Sequence, residues 1–389
     1  MILTRGARVT GSVLCGVLAV IVASWLVRDI RAVEFDQLLR YWAGFPDARP
    51  HALPATTATD AVLLVVYVVA AVAALRSAVA ATALVAVGVV TIAVRLPGLW
   101  NIGGRAMESS YSDDLRTRAL ICAFAALAAG IALLIIAGAG RRPPDGSHEQ
   151  LPTRPGPGAS VTAFLLLCAA GAVLVAWEIR QVVKYPEVFP DWYVGGDRLV
   201  HGLIDPPVGW ASVLTALICL FAGVSALSHA VHSRPFGLVA AALLLPGGAS
   251  GVALTVHYEL FDHFGSLSTE SQLTMASWFL EAFVAVLVLI ALAPRGFADV
   301  PGPFAPGYGS GYGEPGYGQQ GYGTPGYGTP GYGTPGYGTP GYGSEAHPGP
   351  DDAGPNQGQQ PPAPGPGYGY PQGGGFGPPP PPSQPPPGW

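Results

Sequence analysis

The sequence predicts an all-α polytopic membrane protein with eight transmembrane helices, arranged as a tandem four-plus-four repeat and followed by a disordered C-terminal tail. Three observations carry this reading. The 389 residues are 50% apolar and only 11% charged, whereas soluble domains average roughly 25% charged residues. Eight apolar stretches fill the first 300 residues. Residues 301 to 389 are a different material, holding 52 of the 94 Gly and Pro and 10 of the 16 Tyr, with no Lys or Arg. The low charge disfavours an ordinary water-soluble enzyme. The first 300 residues carry 19 basic and 20 acidic side chains, so no basic footprint for nucleic acid exists.

A membrane-crossing helix needs about 20 mostly apolar residues, because the hydrocarbon core is about 30 Å thick and each residue rises about 1.5 Å. Charged and turn-forming boundaries delimit eight candidates: Val9 to Val27, Ala61 to Leu75, Ser77 to Val94, Ala119 to Gly140, Ala159 to Trp177, Val208 to Leu227, Phe236 to Val256 and Leu273 to Ala293. Leu, Val and Ala run around every face, unlike the apolar stripe of a soluble amphipathic helix. The first stretch, with Arg5 and Arg8 before it and Val22-Ala23-Ser24 inside it, also has parts of a secretory signal. Its length and the Trp25 to Arg28 interfacial anchor favour a retained span. Ala61 to Leu75 is short, but the tight Leu75-Arg76-Ser77 junction makes a helical hairpin with the next span. Between Arg28 and Trp42, apolar Ile30, Val33, Leu38 and Trp42 alternate with charges at partly helical spacing. That pattern fits either a short amphipathic surface helix or an extension of the first span. Cys15, Cys122, Cys168 and Cys219 all fall within spans, without a metal-binding spacing, and read as small packing residues. No cofactor is expected.

Loops alternate between long and short, so the longer ones share one face. That face carries 11 basic and 16 acidic residues, while the other has eight basic residues close to span ends. Orientation follows basic density beside the spans, which puts the protein in the cell membrane with both termini cytoplasmic. The order of span, long loop, hairpin, loop and span occurs twice. Trp25-Leu26-Val27-Arg28 closes the first span as Trp177-Glu178-Ile179-Arg180 closes the fifth, 152 residues later. The expected units are 1 to 140, a linker over 141 to 158, 159 to 295, and a tail from 296 to 389. Four spans separate the copies, so they are parallel rather than inverted repeats.

Few residues offer chemistry. Glu281 is the one acid well inside a span, where a carboxylate costs enough to mark a proton or ion path or a hydrogen bond to a neighbouring helix. Pro246, Gly247 and Gly248 lie mid-way along the seventh span, where Pro removes a backbone donor, and broken helices frame transporter sites. His257, Asp262 and His263, with Glu259, gather in one loop as weak candidates for zinc-like ions.

The stretch Pro190-Asp191-Trp192-Tyr193-Val194-Gly195-Gly196-Asp197-Arg198-Leu199, continuing to Gly202 and Asp205-Pro206, resembles the first extracytoplasmic loop of glycosyltransferases that use polyprenyl-phosphate sugars. The resemblance implies Asp191 as a catalytic base. It sits after the fifth span rather than the first, and the chain has fewer spans than those enzymes.

In the tail a Tyr recurs every five residues from Tyr312 to Tyr342, and Gly-Tyr-Gly-Thr-Pro repeats without error from Gly321 to Pro340. With almost no aliphatic residues it cannot bury a core. Tyr322, Tyr327, Tyr332 and Tyr337 offer weak stacking groups suited to multivalent contact. Pro378, Pro379 and Pro380, continuing to Trp389, favour polyproline II that docks in aromatic grooves. The 18 Arg against one Lys, the Ala- and Gly-rich body and the tail together resemble actinobacterial multi-pass membrane proteins. The expected partners are the lipid bilayer and, through the tail, other proteins. The expected role is a cell-envelope scaffold, with a transporter or channel using Glu281 and Pro246 as the alternative, then a lipid-linked glycosyl transfer enzyme.

Overall fold

The computed structural model describes residues 2 to 45, 52 to 143, 152 to 196, 202 to 294 and the pair 297 to 298. The tail candidates Tyr322, Tyr327, Tyr332, Tyr337, Pro378, Pro379, Pro380 and Trp389 lie outside these residues, as does Asp197.

Eight helices are long and apolar enough to cross a membrane, with mean hydropathy from 1.8 to 2.8. They are α1 (Arg5–Val33), α3 (Ala58–Arg76), α4 (Ala80–Arg95), α7 (Asp113–Ala139), α8 (Pro157–Lys184), α10 (Val208–Leu227), α11 (Ser233–His257) and α12 (Thr269–Leu292). Short helices α2 (Phe35–Trp42), α5 (Gly98–Asn101), α6 (Arg105–Ser110) and α9 (Phe189–Val194) lie in the longer connections. A helix satisfies its own backbone groups, which hydrocarbon requires of any spanning segment. Val20, Ile121, Leu165, Leu217 and Ile290 stay exposed on the spans, giving the outer surface the apolar character that lipid contact needs.

In the first half α1 packs against α3, α4 against α7, α3 against α4, and α1 against α7. In the second, α8 packs against α10, α11 against α12, α10 against α11, and α8 against α12. These are the same four neighbour relations, span for span. The halves meet where α11 packs on α3 and α4. Each half is also closed by a two-residue antiparallel pair joining the segment before its first span to the segment after its last. In the first half β1 (Ile2–Leu3) pairs with β2 (Arg141–Arg142), and in the second β3 (Thr153–Arg154) pairs with β4 (Phe297–Ala298).

Several helices run past their expected charge-marked ends, α8 for example continuing through Glu178 and Arg180 to Lys184 and α7 starting at Asp113, and two departures bear on the site. The helix α1 runs six residues past Val27, because Arg28 pairs with Asp29 at 2.5 Å and the Asp29 carboxylate finds other partners, so the charges need not end it. Glu34, at φ 69°, then turns the chain into α2, so the segment is both an extension and a separate amphipathic helix. The second departure is α11, which stays helical through Pro246; the seventh span is not broken there. A Cβ on Gly248 would lie 2.4 Å from the Ala282 backbone nitrogen, and one on Gly251 only 2.0 Å from the Trp278 ring. Small residues let spans approach closely in lipid, and these glycines form the seam that α12 occupies. The matching pair in the first half meets at Gly88, where a Cβ would lie 2.9 Å from the Gly130 carbonyl oxygen.

Candidate functional site

Polar groups concentrate at the long-loop end of the first half. Asp29, fully buried, accepts hydrogen bonds from the backbone N–H groups of Ala55 and Thr56, both at 2.8 Å, and from the Thr56 hydroxyl at 2.7 Å. Hydrogen bonds to the charged form satisfy a carboxylate without water, so Asp29 staples the loop before α3 to the end of α1. Trp42 donates to the Thr56 carbonyl at 2.9 Å and Tyr111 to that of Pro54 at 2.8 Å, tying α2 and the end of α6 to the same loop. Burial raises the Tyr111 pKa, with smaller contributions from Tyr41, Asp29 and Asp205, and keeps this hydroxyl a donor.

One turn into α3, buried Asp60 pairs with buried Arg95 from the end of α4 at 2.6 Å. Arg95 also donates to the Ile204 carbonyl at 2.5 Å, and the Ile204 N–H donates to the Ala55 carbonyl at 3.2 Å. Ile204 belongs to the second half. The Gly202 to Asp205 segment, from the loop after α8, therefore seats in the mouth of the first bundle. Leu203 and Ile204 are buried there among Trp25, Ile102, Met107 and Tyr111. Beneath Ile204 a cavity of about 20 Å³, lined by Arg95, Tyr67, Trp25 and Cys122, has room for about one water.

Asp205 completes the cluster. It is 6% exposed, the Thr57 and Asp60 side chains lie against its carboxyl, and among the described residues neither oxygen has a well-formed hydrogen bond. Burial first, and then the Asp60 carboxylate beside it, push its pKa well above the usual carboxylate range, while Arg95 works in the other direction. With one guanidinium facing two acids, ionising both would leave a buried net negative charge, which costs several kcal/mol. The neutral acid is the form that fits.

The same loop and the start of α10 each dock at one further point. Trp100 donates to the Val194 carbonyl at 2.7 Å, and Trp210, in the first turn of α10, donates to that of Ala93 at 2.8 Å. Gly195 has φ +83°, and a Cβ there would lie 2.0 Å from the Asn101 side-chain oxygen, so glycine is needed both for its backbone and for the approach. In return, the loop after α1 reaches the second half, where Phe45 stacks on His257 at 4.4 Å between centroids.

The residues singled out by sequence fall elsewhere. Asp191 lies on α9, partly exposed, while its neighbours Trp192 and Tyr193 donate to Glu178, Trp192 at 3.2 Å. Glu281 is half-buried on α12 with a carboxyl oxygen 2.7 Å from where a Gly247 Cβ would stand, beside Pro246. His257 is engaged by Phe45, and His263 has a ring nitrogen 3.4 Å from the Glu259 carbonyl. Among the described residues no group of three or more His, Cys, Asp or Glu is placed to hold a metal ion, and His257, Asp262 and His263 do not converge. Asp29, Asp60 and Arg95 escaped the sequence reading because each borders an apolar stretch, where a charge marks a boundary, and Asp205 entered it only through the loop's glycosyltransferase resemblance. Asp205-Pro206 after Gly202 was the available signal.

Comparison with protein-family models, curated proteins and solved structures finds no match. The likeness of the 190 to 206 loop to polyprenyl-phosphate-sugar glycosyltransferases rests on that loop's sequence alone.

Proposed function

We propose that this multi-pass membrane protein is a scaffold of the cell envelope, with both termini in the cytoplasm and a Gly/Tyr/Pro-rich tail that recruits protein partners. The observation that carries the reading is how buried polar groups are used. Asp29, Asp60 and Arg95 bond to loop backbone or to each other, and the Arg95 bond to the Ile204 carbonyl fastens the two halves into one platform. The repeated neighbour relations support units at 1 to 140 and 159 to 295, joined by 141 to 158 and followed by the tail from 296 to 389, and the strand pairs carry the first unit on to Arg142 and widen the second to run from Thr153 to Ala298. Deleting residues 301 to 389 is expected to abolish recovery of co-purifying proteins or to change localisation while the membrane part still inserts. Unchanged pull-downs and placement would remove the scaffold reading.

A second reading, a transporter or channel, is favoured by Glu281. Its carboxylate makes no hydrogen bond or ion pair among the described residues and faces the seam at Gly247. An intramembrane acid without a partner is a natural site for a travelling proton or ion. Glu281→Gln is expected to abolish flux in reconstituted vesicles that carry the activity; full flux in that variant rejects the reading.

A further inference from the structure

At the end of the first half opposite the Asp29 cluster, four arginines converge on one open pocket of about 360 Å³. Its lining is Arg5 and Arg8 from the start of α1, Arg76 from the end of α3, Arg142 from β2, and an apolar floor of Ile2, Leu3 and Ala78. No acid lines it. Among the described residues, Arg5, Arg8 and Arg76 make no ion pair, and Arg8 is oriented by a hydrogen bond to the Leu3 carbonyl at 3.4 Å. The pocket is built rather than accidental. The Thr4 N–H donates to the Gly140 carbonyl at 2.9 Å, and the β1–β2 pair brings Arg142 to the foot of α1. The α1 helix has no acid in its first turn, so its N-terminal dipole adds positive potential to the guanidinium groups. The hairpin of the second half differs. Its arginine, Arg234, donates to the Leu292 and Ala293 carbonyls, both at 2.8 Å, and thereby caps α12.

Directly along the spans from the pocket, Val9 and Val13 on α1 and Val72 and Leu75 on α3 are all at least half exposed. A cationic concavity at the end of the spans, continuing into exposed hydrocarbon, matches a lipid that has a negative head and apolar chains. Guanidinium groups bind phosphate oxygens bidentately, and basic pockets between spans suit anionic headgroups. We propose that the pocket formed by Arg5, Arg8, Arg76 and Arg142 binds the phosphate group of an anionic phospholipid, with the acyl chains lying on the Val9, Val13, Val72 and Leu75 surface.

The test uses the full chain in nanodiscs or detergent, with phosphatidylglycerol, phosphatidylcholine and inorganic phosphate as probes and native mass spectrometry and thermal unfolding as readouts. Phosphatidylglycerol is expected to be retained and to raise Tm more than phosphatidylcholine does. Arg5→Gln with Arg76→Gln should weaken its retention on the order of thirty-fold. Arg5→Lys with Arg76→Lys, which keeps the charge but not the bidentate fork, should retain clearly more than the glutamine pair, and Arg105→Gln at the other end should change nothing. The lysine pair guards against a folding defect, since it perturbs packing like the glutamine pair and differs in charge. Equal retention of phosphatidylglycerol by the glutamine pair and the wild type overturns the site. Protection by inorganic phosphate with no preference between the two lipids supports a phosphate site and overturns the lipid as its source.

Discussion

The two halves share one arrangement of spans and use their first span in parallel ways, yet their long-loop ends differ. In each, an acid beside the closing Trp anchors the loop that follows. Asp29 is completely buried and holds Ala55 and Thr56, whereas Glu178 is partly exposed and holds Trp192 and Tyr193. In the first half the mouth is closed by a segment of the second, and a buried ion pair grips it. The first half receives Leu203, Ile204 and Asp205; what it sends back is Phe45, stacked on His257. The lesson is that the same helical frame supports a locked and a looser end, and that the lock depends on the partner half.

The largest expected effect lies in that lock. Arg95→Met leaves Asp60 buried without its cation and should cost about 3–5 kcal/mol, read as a large drop in Tm in detergent. If the loss is no greater than for Glu178→Gln, the contrast between a locked and a looser end collapses. Next come the two glycine seams. Gly248→Val against Ala282 and Gly88→Val against Gly130 should each cost about 1–3 kcal/mol by overpacking. Comparable losses would show that the seam belongs to both halves; a neutral change at Gly88 would confine it to the second.

Asp205 sharpens the comparison through pH. Its folded pKa is raised above the ordinary value of 3.8, so the folded chain keeps a proton that the unfolded chain has released. That stability is complete below the ordinary carboxylate range and is lost as pH rises through the higher folded value. Asp205→Asn keeps a neutral side chain at every pH. The variant should therefore match the wild type in acid, exceed it in alkali, and show a flatter Tm profile. An unchanged slope would mean that Asp205 is ionised in the fold. The smallest effect belongs to the second half, where Trp177 donates to the Ser277 hydroxyl at 2.7 Å. Ser277→Ala should cost about 1 kcal/mol, and a loss as large as that of Arg95→Met would reverse the ranking of the two ends.

How far each feature could be read in advance follows from the range of its physics. All eight spans, including the short one at Ala61 to Leu75, were legible because hydrocarbon thickness imposes a local rule on length and apolarity. The paired Trp25 to Arg28 and Trp177 to Arg180 motifs pointed to the repeated span order for the same reason. Glu281 stood out because a charge inside an apolar run is anomalous by itself. Asp29, Asp60 and Arg95 did not stand out, since at the edge of an apolar run a charge looks solvated.

By itself, then, the sequence determined the solvent this chain is made for and the number and order of its spans, because burial in lipid is priced residue by residue. Only the tertiary structure decided which charges are buried and who neutralises them. Arg95 meets Asp60 across 35 positions and Ile204 across 109, and Arg5, Arg8, Arg76 and Arg142 meet around one pocket. Electrostatic energy depends on distance in space and on the dielectric between the groups, and neither is encoded in the spacing of residues along the chain.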